Sequence, residues 1–329
     1  MASATLTHLE SHVRPMERIV EGDRPLHLPW PDDIPEVALV GCERILKQAR
    51  AAWFPADGGP PQSFRLCGPP GVGKNSIVYH LARHLGRDLY MLVGNEELKP
   101  EDIACTPVFT STDRIEYVAS PLYAAMRRGG IFFFDEIGKA PSGALSPLVS
   151  VLDDRRTLTS VQAGLTIRAH PDFLFCAALN EDEEAGGRLP DPIAERLSIV
   201  ISVGIPSIET LRKILDTTLP AVDRRWIDIY LRDFWKDGVS PRAARDHVRH
   251  AHSIAGQDAK ETGRSPKTEG AIRSYLEMAG SGSNGPTQPS EDAAKTHSTP
   301  NDSAPAKERS DNGEPFLVLS RRQRKQTIH

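Results

Sequence analysis

Eight residues constrain the fold of this chain more than any others: Gly68, Pro69, Pro70, Gly71, Val72, Gly73, Lys74 and Asn75. They follow the pattern G-x-x-x-x-G-K-[ST] at every position except the last, where Asn75 stands. The run Ser63–Cys67 before them reads as a short buried strand. The run after them places Ile77, Val78, Leu81, Ala82 and Leu85 at helical spacing. Strand, glycine loop, helix is the context in which such a loop cradles phosphate. Glycines let the backbone curl so that its N–H groups point inward, the helix start adds partial positive charge, and Lys74 adds a full one. A glycine-rich turn that binds nothing is the plain alternative. The flanking elements and a second motif downstream argue against it.

That second motif is Ile131–Ile137. A continuous apolar run bounded by Gly129 and Gly130 signals a central strand covered on both faces, and it ends in Asp135 and Glu136. Two carboxylates at the tip of a hydrophobic strand are costly without a cation or strong hydrogen bonds. They could be solvated acids at a strand end. Beside a phosphate loop, Asp135 is expected to hold Mg²⁺, directly or through water, and Glu136 to polarise an attacking water.

Composition sets the surroundings. The 329 residues can hold one large or two modest domains, and a hydrophobic content of 39% predicts a disordered part. A net charge of −4 does not suggest a protein coated in nucleic acid. Cysteines 42, 67, 105 and 176 are scattered and read as buried free thiols in a reducing compartment. The first ten residues lack an apolar signal core, and no apolar run approaches the roughly 20 residues that span a bilayer, so the expectation is a cytoplasmic protein.

Residues 1–35, rich in proline, read as an extended N-terminal arm. Residues 36–205 alternate strand and helix. After the loop come a strand at Asp88–Val93, a helical turn at Lys99–Ile103, a hairpin or extended loop at 108–118, and a helix at Pro121–Arg128. A helix at Ser142–Leu152, a hairpin near 157–168, a buried strand at Phe173–Leu179 ending at Asn180, a short helix at Pro192–Leu197 and a strand at Ser198–Val203 follow. Glu181–Arg188 is acidic and reads as mobile. Five such strands alternating with helices imply an α/β parallel sheet with helices on both faces and a ligand at the strands' carboxyl ends. Residues 206–280 carry amphipathic helices and form a small helical domain, with Ser240 capping one helix and Pro241 in its first turn. Residues 281–329 lack core formers and read as a disordered tail, closed by an apolar patch and a basic cluster at Phe316–Lys325.

These motifs together resemble the AAA+ ATPases of the MoxR or dynein-related type over roughly residues 37–255. Gly68–Asn75 is similar to the first nucleotide motif of that family and Ile131–Glu136 to the second. Asp135–Pro141 resembles D-E-I-N-x-A-P, with Gly138 where Asn is usual. His170–Asn180 resembles the first-sensor strand, Leu189–Leu197 the arginine-finger segment, and Ser240–Arg242 the second sensor. The resemblance implies a P-loop NTPase sheet followed by a helical lid, binding ATP and Mg²⁺ through Gly68, Pro69, Pro70, Gly71, Val72, Gly73, Lys74, Asn75 and Ser76. It gives Asn180 the orientation of the lytic water and Arg196 the γ-phosphate of a neighbouring subunit. Arg242 takes the phosphates from the lid, though Arg245 or Arg249 are alternatives for that contact. An arginine supplied between subunits implies a ring, usually a hexamer. The two hairpins would face the pore or a protein client, and a partner with a von Willebrand type A domain is often found.

The departure at position 75 matters, because a Ser or Thr hydroxyl there normally ligates the metal. An amide oxygen is an acceptable hard ligand, but it is longer. Ser76 sits about 100° further round the helix, out of reach as a substitute. Three functions are therefore open: a remodelling ATPase, an ATP-binding scaffold with impaired turnover, and a nucleic-acid motor or loader resting only on the fold and the basic tail.

Overall fold

The computed structural model describes residues 15–110, 114–180, 189–263 and 265–280. The expectations for the acidic stretch 181–188 and for the tail from 281 lie outside the described residues. In chain order, β1 (Glu17–Glu21) and β2 (Arg24–Leu28) precede α1 (Glu43–Trp53), β3 (Phe64–Cys67), the glycine loop and α2 (Lys74–Leu85). β4 (Leu89–Val93) leads through one turn, α3 (Pro100–Ile103), to β5 (Cys105–Phe109) and β6 (Ile115–Ala119). Next come α4 (Pro121–Arg128), β7 (Ile131–Asp135), α5 (Leu148–Val151), β8 (Thr157–Ser160), β9 (Leu165–Arg168), β10 (Leu174–Leu179), α6 (Asp191–Arg196) and β11 (Ile199–Ser202). Four helices follow: α7 (Ile208–Thr218), α8 (Arg224–Asp233), α9 (Pro241–Thr262) and α10 (Glu269–Gly280).

The main sheet has five strands in the order β11-β3-β10-β7-β4, every pair parallel. Its centre shows why a continuous apolar run is needed. Ile131 and Phe133 of β7 face one side, packing with Trp53, Phe64, Ile77 and Leu81. Phe132 and Phe134 face the other, packing with Tyr123, Phe175 and Ile193. A strand covered on both faces has no position for a polar residue until it ends, which is where Asp135 sits. Trp53 is fully buried and donates its indole N–H to the Phe175 carbonyl at 3.1 Å, tying α1 to the sheet. The last four helices have their own core, built on Leu211, Leu215, Trp226, Tyr230, Val248 and Leu276.

The expectation of an extended arm over 1–35 is corrected for residues 17–28. β1 and β2 form a hairpin turning at Gly22 and Asp23, and β2 pairs in parallel with β6 to make a four-stranded sheet, β1-β2-β6-β5. Leu26 is fully buried and Leu28 nearly so. Pro25 does not prevent this, because pairing with β6 begins one residue later, at Leu26↔Tyr117. The hairpin is pinned by charge as well. Glu116 of β6 is held by His27 at 2.5 Å and Arg18 at 2.8 Å, Arg127 pairs with Glu21 at 2.7 Å, and Arg128 pairs with Glu17.

The helix expected over Ser142–Leu152 is also corrected: only Leu148–Val151 is helical, after a run of turns. Pro147 disfavours helical backbone at Ser146, and Ser142 and Gly143 add little propensity of their own. Cys42, Cys67, Cys105 and Cys176 form no disulfide with one another. Burial pushes the Cys105 thiol up to about 11 and the Cys176 thiol up as well, so both stay protonated at neutral pH and neither is a nucleophile. Among the described residues no helix is long and apolar enough to cross a membrane.

Candidate functional site

β3 delivers the chain to Gly68 at the carboxyl end of the sheet. A Cβ at Gly68 would collide with the Val203 carbonyl just past β11, so only glycine lets the loop leave between these strands. The chain then turns through Gly71 (φ +78°) and Gly73 (φ +103°), and α2 begins at Lys74. Lys74 is only 7% exposed. Its ammonium donates to the Gly68 carbonyl at 2.7 Å, the Pro69 carbonyl at 3.0 Å and the Asn180 side-chain oxygen at 2.8 Å. A buried ammonium needs such oxygens to offset its lost hydration. These acceptors hold it at the loop's mouth, where phosphate oxygens can replace them.

β7 brings the carboxylates. Asp135 Oδ2 accepts from the Asn75 amide Nδ2 at 2.7 Å, and Asp135 Oδ1 accepts from the Glu136 backbone N–H at 3.0 Å. Glu136 itself lies in the left-handed region (φ +50°), a conformation costing a non-glycine residue about 1–3 kcal/mol and often found at functional positions. Its carboxylate pairs with Lys139 at 2.7 Å. Sequence reasoning missed Lys139, although Glu and Lys three apart is a recognisable spacing.

The four helices contribute from above. The Arg242 backbone N–H reaches the Gly71 carbonyl at 3.4 Å, and a Cβ on Gly71 would lie 2.5 Å from Ser240 Oγ and 3.3 Å from Arg242 Cβ. Ser240 Oγ in turn caps α9, accepting from Ala243 N at 3.3 Å. The start of α9 thus rests on the loop, with the exposed Arg242 beside it.

Arg196 stands apart. It lines a cavity of about 610 Å³ with Asp153, Asp154, Arg156, Ser63 and Phe173, at the amino-terminal ends of β3, β10 and β11. That is the opposite end of the sheet from the glycine loop. Its Nη1 donates to the Pro192 carbonyl at 2.8 Å, whereas its Nε is buried without a partner. The Arg155 side chain, foremost, and Arg196 nearby keep the Asp153 carboxyl below its usual range.

Five parallel strands in this order, a glycine loop at their carboxyl ends, paired acids on the neighbouring-but-one strand and a helical cluster closing over the loop make one architecture. Residues 63–197 match the AAA domain of the dynein-related subfamily. Over that stretch the chain is similar to the dynein-related AAA domains. It is 33% identical over 115 residues to Protein NorQ of Paracoccus denitrificans, covering 35% of this chain and 42% of NorQ. It is 31% identical over 115 residues to the denitrification regulatory protein NirQ of Pseudomonas aeruginosa, covering 35% of this chain and 44% of NirQ. The match therefore spans under half the length of these relatives. The RuvB Holliday junction branch migration motor of Thermotoga maritima superposes with a TM-score of 0.52 at 17% identity, over 74% of this chain and 72% of RuvB. At that identity the likeness is one of fold.

AAA+ proteins commonly use Mg²⁺ with the nucleotide, and Asn75 and Asp135 are the residues expected to hold it. As arranged they do not fit that ion. Mg²⁺ demands oxygen donors in near-ideal octahedral geometry. The group that Asn75 presents to Asp135 is its NH₂, which donates and has no lone pair for a cation.

Proposed function

We propose that this chain binds and hydrolyses ATP and uses the resulting movement of its helical lid, residues 206–280, to remodel a protein client. The observation that carries the reading is the convergence on Lys74. Its ammonium joins Gly68 and Pro69 of its own loop to Asn180, which the folded sheet brings in from the end of β10. In this reading the loop N–H groups and Lys74 take the phosphates. Asn180 aligns a water, and Glu136 accepts its proton once released from Lys139. The start of α9 senses the loop through Gly71, so a ligand that reshapes the loop shifts the lid. Arg196 cannot reach its own chain's loop from the far end of the sheet. It would serve the nucleotide of a neighbouring subunit, which supports a ring of identical chains, a hexamer by family habit.

The client would meet the hairpin tips. Phe109 is 82% exposed and Val161 is 88% exposed, and exposed apolar groups at hairpin ends suit transient contact with another protein. The regulatory role in NirQ's name is in keeping with action on a partner, such as one with a von Willebrand type A domain, and nucleic acid is not needed. The test is nucleotide retention and particle size in the Glu136→Gln variant. It should hold ATP and stay assembled, while Lys74→Ala should lose ATP. Glu136→Gln turning over ATP as fast as the parent would remove Glu136 from its role.

A second reading has its own support. The Asn75–Asp135 hydrogen bond favours an ATP-gated scaffold with little turnover. Steady-state phosphate release that Lys74→Ala suppresses would dismiss it.

A further inference from the structure

The geometry points to Asn75 as a built-in competitor of the metal, so that this site takes a nucleoside triphosphate with almost equal affinity whether or not Mg²⁺ accompanies it. The inference rests on the nucleotide-binding reading above and concerns the same loop.

The argument starts from what position 75 has to do. It lies one residue after Lys74, and its side chain faces the carboxylate ending β7. A hydroxyl at this place can do two things with one oxygen: donate its proton to the carboxylate and offer a lone pair to a hard cation. A primary amide divides those capacities between two atoms. The NH₂ only donates and the carbonyl oxygen only accepts. A carboxylate accepts, so the amide must turn its NH₂ toward Asp135, and the 2.7 Å Nδ2–Oδ2 contact is that arrangement. The carbonyl oxygen then lies on the other arm of the amide, away from Asp135.

Bringing that oxygen to a cation beside Asp135 requires the amide to turn over. Turning over breaks the charge-assisted bond to Oδ2 and leaves Asp135 with the Glu136 N–H alone. A metal entering here therefore has to displace an internal hydrogen bond that a Ser or Thr would have kept. Ser76 offers no rescue. It sits about 100° further round α2, and Asn75 is the residue that meets Asp135.

Meanwhile the contacts that grip phosphate do not involve position 75. Lys74 supplies a positive charge that already donates to the Gly68, Pro69 and Asn180 oxygens, and the loop N–H groups follow from backbone shape. The triphosphate's affinity thus comes from groups indifferent to the metal, while the metal's own contribution is cancelled by the amide.

The experiment is calorimetric titration of ATP into the full-length protein, with excess Mg²⁺ and with EDTA, for the native chain, Asn75→Thr and Asn75→Ser. The two dissociation constants of the native chain should agree within about threefold. In the hydroxyl variants EDTA should weaken ATP by about tenfold or more, the worth of one hydrogen bond to a charged group. A native chain that loses tenfold or more in EDTA overturns the inference and leaves the nucleotide-binding reading standing. No ATP binding under either condition overturns both. Should one hydroxyl variant fail to fold, the other and the native ratio still decide.

Discussion

The resting of α9 on the glycine loop can be tested by adding one methyl group. In Gly71→Ala the new Cβ enters a left-handed backbone (φ +78°), which costs about 1–2 kcal/mol. It also arrives 2.5 Å from Ser240 Oγ, inside contact distance, so the hydroxyl must move. That hydroxyl caps α9 through Ala243 N, and losing such a cap costs about 1 kcal/mol. Together the variant should lose roughly 2–3 kcal/mol, a fall in Tm of about 5–10 °C for a body of this size. Ser240→Ala alone should lose only the cap, about 1 kcal/mol. The double variant should then be no worse than Gly71→Ala, because the cap can be lost only once. The coupling, about 1 kcal/mol, is read from chemical denaturation as a double-mutant cycle. Gly256→Ala within α9, where a Cβ meets nothing within 4 Å, is the control and should stabilise by about 0.5–1 kcal/mol. Strict additivity of the Gly71 and Ser240 substitutions would mean that loop and helix do not touch, and the lid would lose its sensor.

Two further outcomes follow from the packing. The His27 contact, foremost, and the Arg18 contact hold the Glu116 carboxyl below its ordinary range. A folded-state value below the unfolded one gives stability that is present above the unfolded pKa and lost as pH falls through the folded one. Glu116→Gln should therefore be less stable than the parent near neutral pH, with the difference in denaturation midpoint vanishing in strong acid; a pH-independent difference would contradict the clamp. Phe133→Ala removes a fully buried ring from the central strand and should cost about 3–5 kcal/mol by the same assay, a loss under 1 kcal/mol being incompatible with its burial.

The parts of this fold that sequence makes plain are the ones whose reasons are local. Strand, loop and helix around Lys74 sit within about 25 consecutive residues, and β7 announces itself because both its faces must be apolar. The α9 start shows through Ser240 and Pro241, a cap and a first-turn proline side by side. The hairpin over 17–28 stays hidden because its partner strand lies some 90 residues away, and prolines at 15, 25 and 29 mask the alternation of Leu26 and Leu28. The turn Gly22–Asp23 between the two strands is the signal that could have found it. The segment 142–152 misleads in the other direction, its apolar spacing outvoted by Pro147 and the weak helix formers Ser142 and Gly143. In the site, Lys74, Asn75, Asp135 and Asn180 are all legible as residues. That Asn75 gives its NH₂ to Asp135 is not, because which end of an amide faces a neighbour depends on what the fold places there. Arg196's distance from its own loop is likewise a property of the sheet, not of its motif.

The dynein-related match begins at residue 63, yet β1 and β2 lie well before it. Cutting the gene at the family boundary would strip β2 from the flank of β6, baring a row of unpaired backbone groups and the cleft that Leu26 and Leu28 fill. Exposed strand borders recruit other chains. A fragment trimmed that way should come out of solution as clumps, while one that keeps residues from 15 onward should not.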